Sequence, residues 1–117
     1  MAIATMNVTV LDCPDPKALA EFYAGVLGGT VDGEAGWYTL TTEGGAKLAF
    51  QEAPDHVPPQ WPSPDAPQQL HLDFDVADLE ASREPTLALG ARLLDDSHEL
   101  FHVYADPAGH PFCLCVG

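Results

Sequence analysis

Apolar residues at every second position predict a half-buried β-strand over residues 70–76, LHLDFDV. His71, Asp73 and Asp75 fill the intervening positions and should share one face of that strand. An earlier segment, residues 7–13, is rich in β-branched and apolar residues (NVTVLDC) and stops at a proline. This composition predicts a second strand.

A helix is predicted after each of these strands. Asp15 followed by Pro16 is a strong helix start, because aspartate caps free N–H groups and proline is tolerated at the first helical position. Apolar residues then recur at helical spacing up to Gly28, where the helix should end. Asp78 caps the second helix, in which Pro85 removes a backbone hydrogen bond and predicts a kink or an early break.

Shorter strands complete each half of the chain and are predicted at 30–32, 36–42 and 46–52 and again at 91–94, 100–105 and 111–116. The segment between the halves, residues 53–68, carries six prolines and predicts an extended linker rather than a helix or a central strand.

The order β-α-β-β-β therefore occurs twice, and the two helix caps, Asp15 and Asp78, lie 63 residues apart. We predict an α+β fold of two tandem βαβββ modules. They should form one domain over residues 1–117, with module one at about 5–53, the linker at about 54–68 and module two at about 69–117.

The charge of the chain excludes several partners. Eighteen acidic residues against four basic ones give a formal charge of −14, so we expect neither nucleic acid nor an anionic membrane as a partner. The sequence shows no signal-peptide pattern and no apolar run of about 18 residues, which predicts a cytoplasmic protein. Three cysteines, an odd number, are expected to be reduced thiols.

Three segments carry a family resemblance: DPKALAEFYAGVLGG, HLDFDVADLEAS and ADPAGHPF. In this order they resemble the vicinal oxygen chelate superfamily of glyoxalases, extradiol dioxygenases, fosfomycin-type resistance enzymes and bleomycin-binding proteins, and most closely its small glyoxalase-like subgroup. The resemblance implies that each module curls its sheet into half of a ligand-binding cleft. It also implies a homodimer, in which the linker would permit the exchange of modules between copies.

In metal-dependent relatives, the first and fourth strands of each module supply the ligands, typically His and Glu. The matching positions here are Val8, Gln51, His71 and Cys113. Valine cannot bind a metal, glutamine is a weak ligand, and a thiolate favours softer ions than a carboxylate does. We therefore expect no metal or other cofactor.

A replacement site would use His71, His102 and Cys113. His102 and Tyr104 alternate with the apolar residues of their strand, so we expect both of them to face the cleft. Cys113 itself is more simply a small buried hydrophobe than a reactive thiol.

His71 is the candidate catalytic residue, as a general base or a ligand; the alternative is a hydrogen-bonding residue in a wet cleft. Asp73 is either a solvated neighbour or the residue that orients that imidazole. Trp61 either caps the core or covers the mouth of the cleft. Whichever of Trp37 and Tyr38 faces inward can stack on a flat ligand. The expected ligand-binding set is Trp37, Gln51, Trp61, His71, Asp73, His102, Tyr104 and Cys113.

These features favour a small-molecule binding protein that sequesters an aromatic or amphipathic natural product without a metal, as in antibiotic resistance. Asp73 and Asp75 beside His71 favour a cationic ligand. The alternative is a lyase, isomerase or dioxygenase-like enzyme that uses His71 as base or metal ligand. A third hypothesis is an interaction domain with a vestigial cleft.

Overall fold

The computed structural model describes residues 2–117, so Met1, the first residue of the predicted domain, lies outside it. The chain forms two compact units that divide between His56 and Val57. The first unit contains β1 (Thr9–Cys13), α1 (Pro16–Leu27), β2 (Thr30–Glu34), β3 (Trp37–Thr41) and β4 (Lys47–Glu52). The second contains β5 (Leu72–Asp75), α2 (Leu79–Ala88), β6 (Arg92–Asp95), β7 (Phe101–Ala105) and β8 (Pro111–Cys115).

Each unit builds one four-stranded mixed sheet. The strand orders are β1-β4-β3-β2 and β5-β8-β7-β6, and in each sheet the strand before the helix pairs in parallel with the last strand of the unit. The other neighbours are antiparallel. This topology confirms the predicted α+β fold of two βαβββ modules; the single domain over residues 1–117 stays a prediction.

In the first unit, α1 packs on one face of the sheet. The carboxylate of Asp15 accepts a hydrogen bond from the Ala18 N–H at 3.1 Å, which confirms the predicted cap. Tyr23 on α1 is fully buried and stacks on Phe50 of β4, with ring centroids 5.7 Å apart. Gly29, at φ +111°, allows the chain to enter β2 tightly, because a side chain there would collide with the Thr41 carbonyl.

In the second unit, α2 lies on one face of the sheet, where its Glu80 approaches His102 of β7. Phe112 of β8 is fully buried between Phe74 and Tyr104, at centroid distances of 5.7 and 5.6 Å. The helix continues past Pro85 to Ala88, so the predicted early break does not occur. Proline removes a single N–H, and the Asp78 cap together with the buried face of the helix keeps the rest of it in place.

Residues 57–68 form no helix or strand, as predicted, but they are not an extended linker. They belong to the second unit and contain turns, with the Gln60 N–H donating to the Ala66 carbonyl at 2.6 Å. Pro58 lies so close to Gly109 that a side chain at the glycine would collide with it. The proline-rich segment is therefore a packed part of the second unit. Within residues 2–117, no helix is long and apolar enough to cross a membrane.

Candidate functional site

A cluster of three polar side chains lies on the face of the second sheet that is turned away from α2, which we call the open face. His71 immediately precedes β5, Asp73 lies two residues further on, and Asp73 is paired with Cys113 across the parallel β5–β8 ladder. Nε2 of His71 lies 3.3 Å from a carboxylate oxygen of Asp73. The donor atoms of all three residues fall within 4.8 Å of one another. The predicted pair of His71 and Asp73 on one face is confirmed.

The turn before β8 holds Cys113 in place. The Asp106 carboxylate accepts hydrogen bonds from the backbone N–H groups of Ala108 and His110, at 2.8 and 3.0 Å. This buried aspartate is 4% exposed and fixes the start of the strand. The Asp-Pro-x-Gly turn of residues 106–109 therefore acts as a structural support for the site.

The two thiols of the open face are poor nucleophiles. Burial, followed by the nearby negative charge of Asp73, raises the pKa of the Cys113 thiol to about 12. Burial also raises the pKa of Cys115, with Asp73 and Asp75 adding to the effect. Both groups are protonated at neutral pH, and as such they contribute to the lining as small, weakly polar side chains.

A pocket of about 200 Å³ lies beside the cluster. It belongs entirely to the second unit and is lined by Trp61, Gln68, His71, Phe101, Val103, Pro111 and Cys113. The Oε1 atom of Gln68 is buried and has no hydrogen-bond partner among the described residues. Trp61, one of the predicted ligand-binding residues, is thus a wall of this pocket, beside His71 and Cys113.

Sequence reasoning missed four lining residues: Gln68, Phe101, Val103 and Pro111. Phe101 and Val103 alternate with His102, so the pattern of β7 did separate them from it, but our expectation that His102 faces the cleft left them on the other face. Gln68 offered no signal, because a glutamine in a proline-rich segment has no distinctive pattern.

His102 and Tyr104 do not face this pocket, and the prediction that they do is wrong. In the β7–β8 pairing they lie opposite Leu114 and Phe112, on the face beneath α2. His102 is 3% exposed, and its Nε2 lies 4.0 Å from Glu80 of α2. A replacement metal site of His71, His102 and Cys113 is therefore not assembled, because His102 lies on the opposite face of the sheet.

Tyr104 is a core residue of the second unit. It is fully buried, and burial raises the pKa of its phenol above the ordinary value. Its hydroxyl makes no hydrogen bond of ordinary geometry within the part of the chain that the structure describes, and the nearby Arg83 guanidinium only partly offsets the effect of burial on its pKa.

Replacing Tyr104 with phenylalanine should therefore leave the free energy of unfolding unchanged or raise it by up to about 1–2 kcal/mol. The variant removes a buried hydroxyl that gains no hydrogen bond to offset its lost hydration. Urea denaturation of the two proteins measures the difference. If the variant lost more than 1 kcal/mol of unfolding free energy, the hydroxyl would have a stabilising partner. If the variant bound a ligand more weakly than the parent, Tyr104 would belong to the binding site.

Trp37 and Gln51 lie together on the first unit. They are direct neighbours in the β3–β4 ladder, on the face of the sheet opposite Phe50. The indole N–H of Trp37 donates to the Thr39 hydroxyl at 3.3 Å, and the side chain is 39% exposed. Trp37 is therefore the aromatic residue of β3 that is available to a ligand, and Tyr38 packs on the helix side with Phe50.

The residues present fit only part of the metal site that the fold implies. Val8 has no donor atom, and Gln51 offers only a neutral amide oxygen. His71 and Cys113 supply nitrogen and sulfur. Asp73 adds a carboxylate, although it is not one of the four positions that match the metal ligands of the relatives. The donors of the second unit suit an ion that accepts mixed nitrogen, oxygen and sulfur ligands.

Residues 8–115 match the family model of the glyoxalase-like domain, so the chain belongs to that family. No curated protein matches the sequence significantly. Among solved structures, it is similar to a glyoxalase/bleomycin resistance protein/dioxygenase family enzyme from Burkholderia phytofirmans, with a TM-score of 0.78, 18% identity, and coverage of 97% of this chain and 98% of that one.

Two further structures show the same fold. The fosfomycin resistance protein FosX from Listeria monocytogenes has a TM-score of 0.75 and 14% identity, and the match covers 99% of this chain and 95% of that one. A possible glyoxalase from Bacillus cereus has a TM-score of 0.68 and 18% identity, over 97% of this chain and 99% of that one. At these identities the likeness establishes the architecture and leaves the chemistry to the residues of this chain.

Proposed function

We propose that this protein binds a small aromatic or amphipathic molecule, one ring of which enters the pocket on the open face of the second unit. The observation that carries the proposal is the pocket itself, in which Trp61 and Phe101 meet polar groups of Gln68 and His71. Apolar walls with a few convergent polar groups are typical of small-molecule sites.

The size of the pocket limits what it can hold. Drug-sized ligands occupy pockets of roughly 300–1,000 Å³, whereas an apolar cavity of about 150 Å³ holds benzene. At about 200 Å³, the pocket can seat one ring of a natural product rather than the whole molecule. The resistance protein among the structural relatives supports resistance to such a compound as the biological role, and sequestration is the form of resistance that we propose.

The negative charge beside the pocket favours a cationic ligand. Asp73 is 60% exposed beside the pocket, and the chain carries a formal charge of −14. Gln68 offers its buried amide oxygen, an acceptor that suits an N–H donor on the ligand.

We expect benzamidine to raise the thermal unfolding midpoint of the metal-free protein in a concentration-dependent way, while benzoate does not. Asp73→Asn should weaken benzamidine binding by up to about fivefold, because an exposed ion pair is worth roughly 0.2–1 kcal/mol. Isothermal titration in the presence of EDTA measures both affinities.

Asp75→Asn is the matched control, since it removes the same charge from the same face, whereas Asp73 is the carboxylate that contacts the lining residue His71. Its benzamidine affinity should stay within about twofold of the parent. Equal binding of benzoate, or equal effects of the two substitutions, would contradict a specific role for Asp73. No shift with any aromatic probe would favour an interaction domain with a vestigial cleft.

One observation favours an enzyme as the second candidate. Asp73 lies 3.3 Å from the His71 imidazole, in the position of a carboxylate that orients a general base. A lyase or isomerase that uses His71 in this way would lose turnover in His71→Gln. His102, which we expected to assist, lies beneath α2 and plays no part in this version.

The expected homodimer, with or without exchange of modules, and the cytoplasmic location remain predictions. Light scattering of the purified protein measures the oligomeric state.

A further inference from the structure

We propose that the ligand extends from the pocket past Trp61 into a second recess of the same unit, where Arg92 binds a carboxylate at the far end of the molecule. The ligand is thus a zwitterion, with a cationic ring at one end and a carboxylate at the other. This assignment deepens the proposed function and rests on it, since the pocket must hold the ring.

The second recess adjoins the pocket on the open face. Its lining includes Trp61, which also lines the pocket, together with Ala105 of β7 and Arg92 of β6. Ala105 lies two residues beyond the pocket residue Val103, so the two side chains share one face of the sheet. Arg92 is paired with Ala105 and lies on that face as well. Trp61 is therefore the side chain common to two neighbouring cavities of one surface.

The recess has room for the part of the ligand that the pocket cannot hold. Its volume is about 610 Å³, which falls within the range of roughly 300–1,000 Å³ that drug-sized ligands occupy. Pro58, Pro59 and Leu94 supply apolar contact, and Arg92 supplies the charge. A ligand with one ring in the pocket can therefore place its hydrocarbon part and an acidic group beyond Trp61.

The guanidinium of Arg92 forms no ion pair with any residue in the range 2–117. The next two acidic residues along the chain have other partners. Asp95 accepts a hydrogen bond from the Ser97 N–H at 2.8 Å, and Asp96 pairs with Arg83 at 2.9 Å. Because the N–H groups of a guanidinium match the two oxygens of a carboxylate, Arg92 is suited to bind that group on a ligand.

Opposite charges lie at opposite edges of the open face. Asp73 is on β5 and Arg92 is on β6, the two edge strands of the order β5-β8-β7-β6. Neighbouring strands are about 4.8 Å apart, so the backbones of these two residues are separated by roughly 14–16 Å. A single ring does not span that distance, whereas an extended molecule does. A carboxylate is favoured over a doubly charged phosphate because the chain carries a formal charge of −14.

The experiment compares three probes by isothermal titration of the full chain in EDTA. They are benzamidine, amidinophenoxyhexanoate, whose six-carbon chain ends in a carboxylate, and amidinophenoxyhexanamide, in which a neutral amide replaces that carboxylate. We expect the hexanoate to bind about three- to fivefold more tightly than the hexanamide at low salt, as for a favourable exposed ion pair. The net charge of the protein opposes this order, so a local cation is needed to produce it. Added salt should reduce the preference.

Arg92→Gln should abolish the preference for the hexanoate and leave the affinity for benzamidine unchanged, because Arg92 does not line the pocket. Lys47→Gln is the matched control, since it removes the same charge from an exposed position on β4 of the first unit. It should retain the preference. Both side chains are exposed, so both variants are expected to fold, and circular dichroism checks this.

Three results would overturn the role of Arg92: a parent protein that binds the hexanoate no better than the hexanamide, a preference that survives in Arg92→Gln, or an equal loss of preference in Lys47→Gln. Benzamidine separates this failure from that of the proposed function. If benzamidine binds without any preference for the hexanoate, only the assignment of Arg92 fails. If none of the three probes binds, the proposed function and its extension fail together.

Discussion

Phe112→Ala should lower the free energy of unfolding by about 3–5 kcal/mol. Phe112 is fully buried at the centre of the second unit, between Phe74 and Tyr104. Its removal loses the transfer free energy of the ring and leaves a cavity that the paired strands around it cannot collapse to fill. Since domains are stable by only about 5–15 kcal/mol, this loss is a large fraction of the total.

Urea denaturation, followed by circular dichroism, measures the effect. Phe101→Ala is the control: it removes the same ring from the neighbouring strand, but from the half-buried open face. It should cost clearly less than Phe112→Ala. Similar losses in the two variants would contradict the assignment of Phe112 to the core and Phe101 to the pocket wall.

Trp61→Ala should weaken benzamidine binding at least tenfold, which corresponds to about 1.4 kcal/mol. Buried aromatic anchors dominate the energy of small recognition sites, and Trp61 is the largest of the side chains that line the pocket. The expected loss exceeds that of Asp73→Asn, because the aromatic contact is shielded from water whereas the aspartate is exposed.

Fluorescence titration or calorimetry measures the affinity. Trp61→Phe should retain most of the binding, since it keeps an aromatic face, and Val57→Ala should leave it unchanged, because Val57 is 76% exposed in the same unit and does not line the pocket. If Trp61→Ala bound benzamidine as tightly as the parent, the ligand would have to lie elsewhere.

The fold was largely predictable because its signals are local. Asp15 and Asp78 cap the two helices as predicted, and their side chains accept hydrogen bonds from N–H groups three residues further on. Apolar and β-branched runs bounded by turn residues located the strands to within two residues at each end, and the repeat of the two caps defined the modules. Of the kink or early break predicted at Pro85, the break does not occur, because the loss of one hydrogen bond weighs less than the packing of a whole helix.

The site was only partly predictable. Alternation divides β7 into two sets of side chains but does not say which set faces the helix when both contain apolar residues. We expected His102 and Tyr104 to face the cleft because they alternate with the apolar Phe101 and Val103, which left the apolar pair on the opposite face. The structure reverses this: the apolar pair forms pocket walls, and Tyr104 is fully buried.

Other site features depend on contacts between distant residues. Asp73 becomes a partner of Cys113 only through the register of two parallel strands, and this register depends on the whole unit. The role of Trp61 depends on the proline-rich segment folding onto the second unit, where Pro58 lies against Gly109. Neither contact has a signal in the local sequence.

The division of the chain has an evolutionary consequence. Every residue that lines the pocket, and every donor of the three-residue cluster, follows the junction between His56 and Val57. A single recombination event near that junction would transfer the complete pocket to another gene, whereas point substitutions in the first half would leave its lining intact. We expect ligand preference to be inherited with the second half of the coding sequence.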